Sequence, residues 1–137
     1  TKNVSECWWG FAEPINIASI NRKDEIPSGK IKGLSITNVR CKGEGSIYIA
    51  GKDSAPIEDL TLNNIRLELE KTTKYPIKGY DFRPCCGPDF QEGKINGIYV
   101  KNAKNVKAEN LEVTVHDNMK EWVDKEICFE NAVVKEK

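Results

Sequence analysis

The chain has 137 residues, enough for one domain with one hydrophobic core. It carries 21 basic and 21 acidic residues, and this balance gives no reason to expect a nucleic-acid or acidic-membrane partner. No apolar run approaches the roughly 20 residues of a membrane-spanning helix. Because the chain begins at Thr1 and not at Met, we expect it to be processed or to be a piece of a longer protein.

One six-residue phrase recurs along the chain: apolar, any, apolar, any, Asn, apolar. The five copies lie at 34–39, 60–65, 98–103, 106–111 and 127–132, and two weaker copies at 15–20 and 47–52 have Ser or Gly in place of Asn. The alternation places the apolar side chains on one face of a strand. Asn tolerates left-handed backbone geometry. The phrase therefore predicts short strands that turn at Asn, with the asparagines stacked as a ladder.

The spacing of the phrases predicts a solenoid. Leu34 and Leu60 are 26 residues apart, and Ile47 lies midway between them, so one 26-residue unit carries two strands. In a leucine-rich repeat the Asn would come one residue later than Asn38 does. The phrases that start at Ile98 and Val106 are only eight residues apart, which leaves no room for a helix. We therefore predict an all-β fold, a right-handed parallel β-helix (a single-stranded solenoid) of about four to five coils, as one domain over residues 1–137.

Three segments interrupt the repeat. Residues 71–94 contain three Pro and three Gly, which predicts a long loop insertion that projects from the stack. Residues 21–30 predict a second exposed loop, and residues 116–126 a turn of helix.

The cysteine pattern predicts no metal site. Five cysteines are present, so at least one is free or pairs between chains; they are Cys7, Cys41, Cys85, Cys86 and Cys128. Their spacing matches no zinc pattern, and we interpret them mostly as small core hydrophobes in a reduced or weakly oxidising setting. A disulfide scaffold is the alternative. No cofactor is predicted.

Two clusters are candidates for contacting a sugar. In the first, an exposed Trp8 or Trp9 ring can stack on a sugar ring, or the pair can cap an edge of the stack. Glu13 can bond sugar hydroxyls or be a solvated turn residue. In the second cluster, Tyr80, Asp81 and Arg83 are close in sequence. Arg83 can bind a substrate carboxylate, or pair with Asp81 and pin the loop to the stack.

The sequence gives little support for a nucleophilic or metal-dependent catalytic mechanism. The single histidine, His116, continues the alternation of the preceding strand and is predicted to face outward with Glu112 and Thr114. No G-x-S-x-G, Gly-rich phosphate loop or H-E-x-x-H motif occurs. No pair of acidic residues stands out as the two carboxylates that glycoside hydrolysis requires.

Longer strings of the chain resemble a known family. They are WWGFAEPINI, GKIKGLSITNV, GSIYIAGKDSAPIEDLTLNNIRLELEKTTKYP, YDFRPC and NGIYVKNAKNVKAENLEVTV. Together they resemble the C-terminal part of bacterial glycoside hydrolase family 28 proteins, which are polygalacturonase-like enzymes on a right-handed parallel β-helix. The resemblance covers nearly the whole chain, and WWG-x-AEPI, KTTKYP and YDFRPC are its more specific parts.

The resemblance implies a function but supplies no catalytic residue. The family hydrolyses α-linked galacturonides with aspartates in N-T-D, D-D, G-H-G and R-I-K motifs, and none of these motifs occurs here. We therefore expect the C-terminal β-helix segment of a pectin-type polysaccharide hydrolase that is inactive by itself. The alternative is a non-catalytic carbohydrate-binding or structural β-helix module.

The same expectation extends to partners and location. A pectic polysaccharide is the expected ligand, and the exposed edge of the first coil is expected to drive self-association. No nucleic-acid or membrane partner is expected. The resemblance implies a periplasmic or secreted protein, whereas the odd cysteine count is compatible with the cytoplasm.

Overall fold

The computed structural model describes residues 13–19, 29–77, 79–81 and 90–134. This part of the chain is mostly β-strand, which confirms the all-β prediction. Its elements are β1 (Ile15–Ala18), β2 (Ser35–Gly43), β3 (Ile47–Ala50), β4 (Ile57–Leu69), β5 (Gly79–Asp81), β6 (Phe90–Glu92), β7 (Ile98–Val115), a 3₁₀ helix (Asp117–Trp122) and β8 (Ile127–Val134).

Six of the strands form one curled parallel sheet that makes a half-barrel. The long strand β7 is its centre. The first part of β7 pairs with β3 and the rest pairs with β4, while β8 pairs along its other edge. Strand β1 pairs with β3, and β2 pairs with β4. The strands therefore stack in layers that follow the order of the chain.

The predicted 26-residue spacing is confirmed between β2 and β4. Ile36 pairs with Leu62, and the whole of β2 pairs with β4 at this offset. The offset does not continue beyond residue 70. Ile57 pairs with Ala103, whereas Ile95 forms an isolated bridge with Val123. The number of residues between layers therefore varies, although the register of the strands is kept.

The asparagines of the repeated phrase have the predicted backbone geometry. All five have positive φ between 49° and 56°: Asn38, Asn64, Asn102, Asn110 and Asn131. The strand register stacks them into two columns, which we call corner columns. The first contains Asn38, Asn64 and Asn110, and the second contains Asn102 and Asn131 with Ser19 and Gly51 from the weaker copies. The sheet curls at these positions because left-handed residues turn the strand direction.

Side-chain hydrogen bonds connect these columns as a ladder. Asn64 Nδ2 donates to Asn38 Oδ1 at 3.0 Å, and Asn131 Nδ2 donates to Asn102 Oδ1 at 2.7 Å. Asn110 departs from the pattern and donates to Asn63 at 3.4 Å. The ladder is thus confirmed between neighbouring layers at two places.

A third corner column was not predicted. Gly33, Asp59 and Asn105 lie beside one another and have φ of 76°, 55° and 55°. Asn105 Nδ2 donates to Asp59 Oδ1. The repeated phrase does not include these positions, so only the backbone geometry reveals them.

The core lies on the concave face of the sheet. The alternating apolar residues of β3, β4 and β7 are its centre, with Ile47, Ile49, Leu60, Leu62, Ile65, Ile98, Val100 and Val106 all fully buried. Leu34, Ile36 and Val39, from β2 and the residue before it, are only partly buried against this cluster. The layer that contains β2 therefore leaves more apolar surface accessible than the layer that contains β4.

The insertion at 71–94 lies between β4 and β7 as predicted, but its described residues do not simply project. Strands β5 and β6 form an antiparallel hairpin, and Ile77 and Tyr80 are buried in the core. Near its start, the Lys71 ammonium lies 2.9 Å from the Glu44 carboxylate.

The predicted turn of helix is present as the 3₁₀ helix, which buries Met119. Among the described residues, no helix is long and apolar enough to span a membrane.

Candidate functional site

Most of the residues predicted to contact a sugar cannot be placed. Trp8, Trp9 and Arg83 lie outside the described residues. The backbone of Asp81 ends β5, and its side chain also lies outside the described part. Glu13 is partly buried and lies near Tyr80, beside a narrow crevice.

Tyr80, the remaining candidate, is a core residue in this fold. Its side chain is 2% exposed. Its hydroxyl accepts a hydrogen bond from the Asn96 backbone N–H at 2.9 Å and shares another with Ser46 Oγ at 3.0 Å. Burial raises the pKa of the Tyr80 hydroxyl. The ring is inaccessible to a sugar in this arrangement, and Tyr80 holds the insertion against the sheet.

Two further tyrosines complete a buried aromatic cluster that the sequence did not reveal. Tyr48 and Tyr99 pair across β3 and β7, with ring centroids 5.5 Å apart, and the Tyr80 ring lies 4.9 Å from Tyr48. Burial raises the pKa of Tyr48 to about 12. Tyr99 donates to Glu130 Oε2 at 2.8 Å. Burial, together with this bond to a carboxylate, raises the pKa of Tyr99.

The best-defined candidate for ligand binding is on the opposite, convex face of the sheet. There β2, β4 and β7 lie side by side and leave an open groove of about 490 Å³. The register sets its outward side chains in two rows across the strands. One row is Arg40, Arg66 and Glu112, and the other is Lys42, Glu68 and Thr114. We call this surface the arginine groove.

Two arginines side by side dominate one row of the arginine groove. Neighbouring strands are about 4.8 Å apart, so the guanidinium groups of Arg40 and Arg66 repel each other across the pair. The positive charge of Arg66 is partly neutralised by Glu112, whose carboxylate lies 3.7 Å from the Arg66 Nε. Within the described ranges, no ion pair involves Arg40. An added anion beside Arg40 would relieve this repulsion.

The second row is already neutralised by ion pairs. Lys42 Nζ lies 2.6 Å from Glu70 and 4.0 Å from Glu68. A hydrogen bond from Lys42 and its positive charge lower the pKa of Glu70. The reciprocal bond raises the pKa of Lys42. Because these groups are exposed, such pairs contribute little to stability, but they fix the charge pattern of the groove.

The groove can therefore bind an anionic group by the chemistry of arginine. A guanidinium presents a planar fork of donors that matches a carboxylate or phosphate. The nearby carboxylates and the Thr114 hydroxyl can bond hydroxyl groups. Arg40 and Arg66 were not among the residues predicted from the sequence, although their separation of 26 residues places them in register.

The histidine and the two described cysteines lie at partly exposed positions. His116 is partly exposed, and its Nε2 lies 2.6 Å from Glu68 Oε1; Glu112 and Thr114 are exposed as predicted. Cys41 and Cys128 are free and partly buried against the core. Burial raises the pKa of the Cys41 thiol, which favours its protonated form. Cys7, Cys85 and Cys86 lie outside the described residues.

Comparisons with known proteins do not assign the chain to a family. No family model matches the chain, and neither the curated proteins nor the solved structures contain a match.

Proposed function

We propose that this chain is a polysaccharide-binding segment of a right-handed parallel β-helix, in particular the C-terminal segment of a pectin-type polysaccharide hydrolase similar to glycoside hydrolase family 28. In this role it extends the stack and binds acidic sugars in the arginine groove, and it supplies no catalytic carboxylates. The observation that carries the proposal is the pair Arg40 and Arg66, which lie in register on an open groove across three strands.

The β-helix part of the proposal is supported by the corner columns. The six strands of the main sheet pair in parallel, with one register shift between β7 and β8, and the backbone turns at equivalent positions in successive layers. Three columns of left-handed residues give three turns per coil, which is the number needed to wind a strand around a core. The described residues form a half-barrel, and a complete β-helix would in addition require the segments between the strands to close each coil.

The sugar-binding part is supported by charge and shape. An acidic polysaccharide presents carboxylates at regular intervals along an extended chain, and the arginine groove is open at the surface. One carboxylate can bind the guanidiniums of Arg40 and Arg66 together. The Glu112 carboxylate can accept hydrogen bonds from sugar hydroxyls, and the Thr114 hydroxyl can accept from them or donate to them. An exposed ion pair contributes about 0.2–1 kcal/mol, so two guanidiniums on one carboxylate together favour an acidic over a neutral sugar by up to about 2 kcal/mol.

The lack of catalysis follows from the residues. Inverting hydrolysis requires an acid and a base about 6.5–9.5 Å apart on opposite sides of the bond. The family's aspartate motifs are absent from the sequence, and the carboxylates of the arginine groove that have described partners are paired with Arg66, Lys42 or His116.

Self-association belongs to the same proposal. Strand β2 pairs only with β4 in the described part of the chain, so its other edge offers backbone groups to a further strand. Leu34, Ile36 and Val39 lie partly exposed beside this edge. We expect a second copy to pair there, so sedimentation of the purified chain should show association that increases with concentration. A monomer at all concentrations would exclude it.

The second candidate is a structural β-helix module with no ligand. It is favoured by the ion pairs of Arg66 and Lys42, which leave Arg40 as the one arginine-groove cation without an ion pair among the described residues. Binding measurements separate the two candidates. A polysaccharide-binding segment should bind an acidic sugar more tightly than a neutral one, whereas a structural module should show no such preference.

The test is calorimetric titration of the purified chain with oligogalacturonate. Wild type is expected to bind, and Arg40→Ala with Arg66→Ala is expected to weaken binding at least tenfold, about 1.4 kcal/mol. Arg40→Lys is the conservative variant, which keeps the charge and loses the fork. Lys104→Ala, exposed outside the groove, is the matched control for the loss of one positive charge. Equal binding by wild type, the double arginine variant, Arg40→Lys and Lys104→Ala would show that the arginine groove does not bind the sugar.

Release of reducing ends is measured in the same samples. We expect none from this chain alone. Turnover would show that the chain contains its own catalytic carboxylates and would overturn the expectation of an inactive segment, whatever the binding result.

A further inference from the structure

At one end of the arginine groove, three potential metal ligands converge. The carboxylates of Glu68 and Glu70 and the imidazole of His116 place one ligand atom each within 4.8 Å of one another. Glu68 Oε1 is already 2.6 Å from His116 Nε2. The two glutamates lie at the end of β4 and the histidine directly follows β7, so His116 is far from the glutamates in sequence and adjacent to them in space.

The backbone under this cluster is fixed by the sheet. Leu69 pairs with Val115, and the His116 N–H donates to the Leu69 carbonyl at 2.9 Å. Glu68 and Glu70 are two residues apart on β4 and just beyond it, so they point to the same side of the sheet. Only side-chain rotations are therefore needed to bring the three ligand atoms to metal-binding distances.

The donor set is that of a transition-metal site. One imidazole nitrogen with two carboxylate oxygens suits zinc and neighbouring divalent ions, with water completing the coordination. Calcium and magnesium prefer ligands made entirely of oxygen, so the histidine favours zinc over them. We propose that Glu68, Glu70 and His116 form a binding site for a divalent transition-metal ion, zinc being the first probe.

Lys42 is the competitor for this site. Its ammonium is 2.6 Å from Glu70 and 4.0 Å from Glu68, where it neutralises the same carboxylates that would bind the metal. An arriving cation must displace Lys42, whose side chain is 55% exposed and can swing into water. This competition gives the proposal a distinctive consequence: removal of Lys42 should strengthen metal binding, whereas removal of a ligand should weaken it.

The test is a zinc titration of the metal-stripped full chain, followed by calorimetry and by the NMR signals of the imidazole. Because His116 is the only histidine in the sequence, its signals report this site without ambiguity. Zinc should shift them at a one-to-one ratio. Glu70→Gln should weaken binding about tenfold or more, as loss of a ligand or its support does. Lys42→Ala should bind more tightly than wild type.

Controls separate this site from other zinc ligands. Glu112→Gln removes a carboxylate from the same face outside the cluster and should leave zinc binding unchanged. Cysteine thiols also bind zinc, so the site is judged by the His116 signals and not by heat alone. His116 signals that shift in Glu70→Gln at the same zinc concentration as in wild type would refute the site. Unshifted imidazole signals in wild type, or weaker binding by Lys42→Ala, would refute it as well.

Discussion

The corner asparagines should stabilise the stack through backbone geometry as well as through their hydrogen bonds, and Asn64 tests both. Asn64 lies in the middle of the first corner column, with φ of 54° and a 3.0 Å bond to Asn38. In Asn64→Ala the bond is lost, at a cost of about 0.5–1 kcal/mol for an exposed pair. Alanine in the left-handed region adds about 1–2 kcal/mol. The free energy of unfolding should therefore fall by about 2 kcal/mol.

Asn64→Gly separates the two contributions. Glycine also loses the hydrogen bond but adopts positive φ without strain, although its unfolded state gains entropy worth about 0.5–1 kcal/mol. We expect Asn64→Gly to be about 0.5–1 kcal/mol more stable than Asn64→Ala. Urea denaturation followed by far-UV circular dichroism measures these differences.

Asn16→Ala is the matched control for the corner. Asn16 is an exposed residue within β1 and is not among the residues with positive φ. Its substitution should change stability by less than about 0.5 kcal/mol. If Asn64→Ala is no more destabilising than Asn16→Ala, or if the glycine variant is the less stable of the Asn64 pair, the geometric explanation is incorrect.

Three other substitutions test the packing and the charges. Gly51→Ala places a Cβ 2.6 Å from the Asn102 carbonyl oxygen, so we expect a loss of several kcal/mol or failure to fold; a wild-type thermal midpoint would contradict the close approach. Tyr80→Phe leaves the Asn96 N–H without its hydroxyl partner and should cost about 1–3 kcal/mol in urea denaturation, whereas no change would show that water replaces the bond. Burial raises the pKa of Glu44, but its bonds to Lys71, Thr72 and Thr73 outweigh burial and lower it overall, so its stabilisation is present above its ordinary value of 4.5 and is lost as the pH falls below it. The stability advantage of wild type over Glu44→Gln should therefore shrink in acid, and a constant difference from pH 7 to about pH 3 would contradict the assignment.

Local features of the fold were predictable because they depend on residues close in sequence. The alternation in each phrase fixes which side chains are buried, and the terminal Asn fixes where the backbone turns. Asn38 and Asn64 were correctly placed because the 26 residues between them contain no large insertion. Between other layers the 26-residue count failed, because the connecting segments differ in length: Ile15 pairs with Ile47, and Ile57 pairs with Ala103.

The interior contacts of the insertion were not predictable for a related reason. Tyr48, Tyr80 and Tyr99 meet only after three separate segments fold together. The residues next to Tyr80 in sequence predicted a sugar-contact cluster. The position of Tyr80 in the core depends instead on residues far from it in the chain. The arginine groove was in principle predictable, because the 26-residue offset places Arg40 beside Arg66, but balanced charge totals do not show which charged residues become neighbours.

The most direct test of the central claim compares two ligands that differ only in charge. The chain is titrated in a calorimeter with oligogalacturonate and with the same oligosaccharide after reduction of its carboxyl groups to alcohols. We predict binding of the acidic form and at least tenfold weaker binding of the neutral form, a difference of about 1.4 kcal/mol. Equal affinity for the two, or no binding of either, would contradict the account of this chain as an acidic-polysaccharide-binding segment.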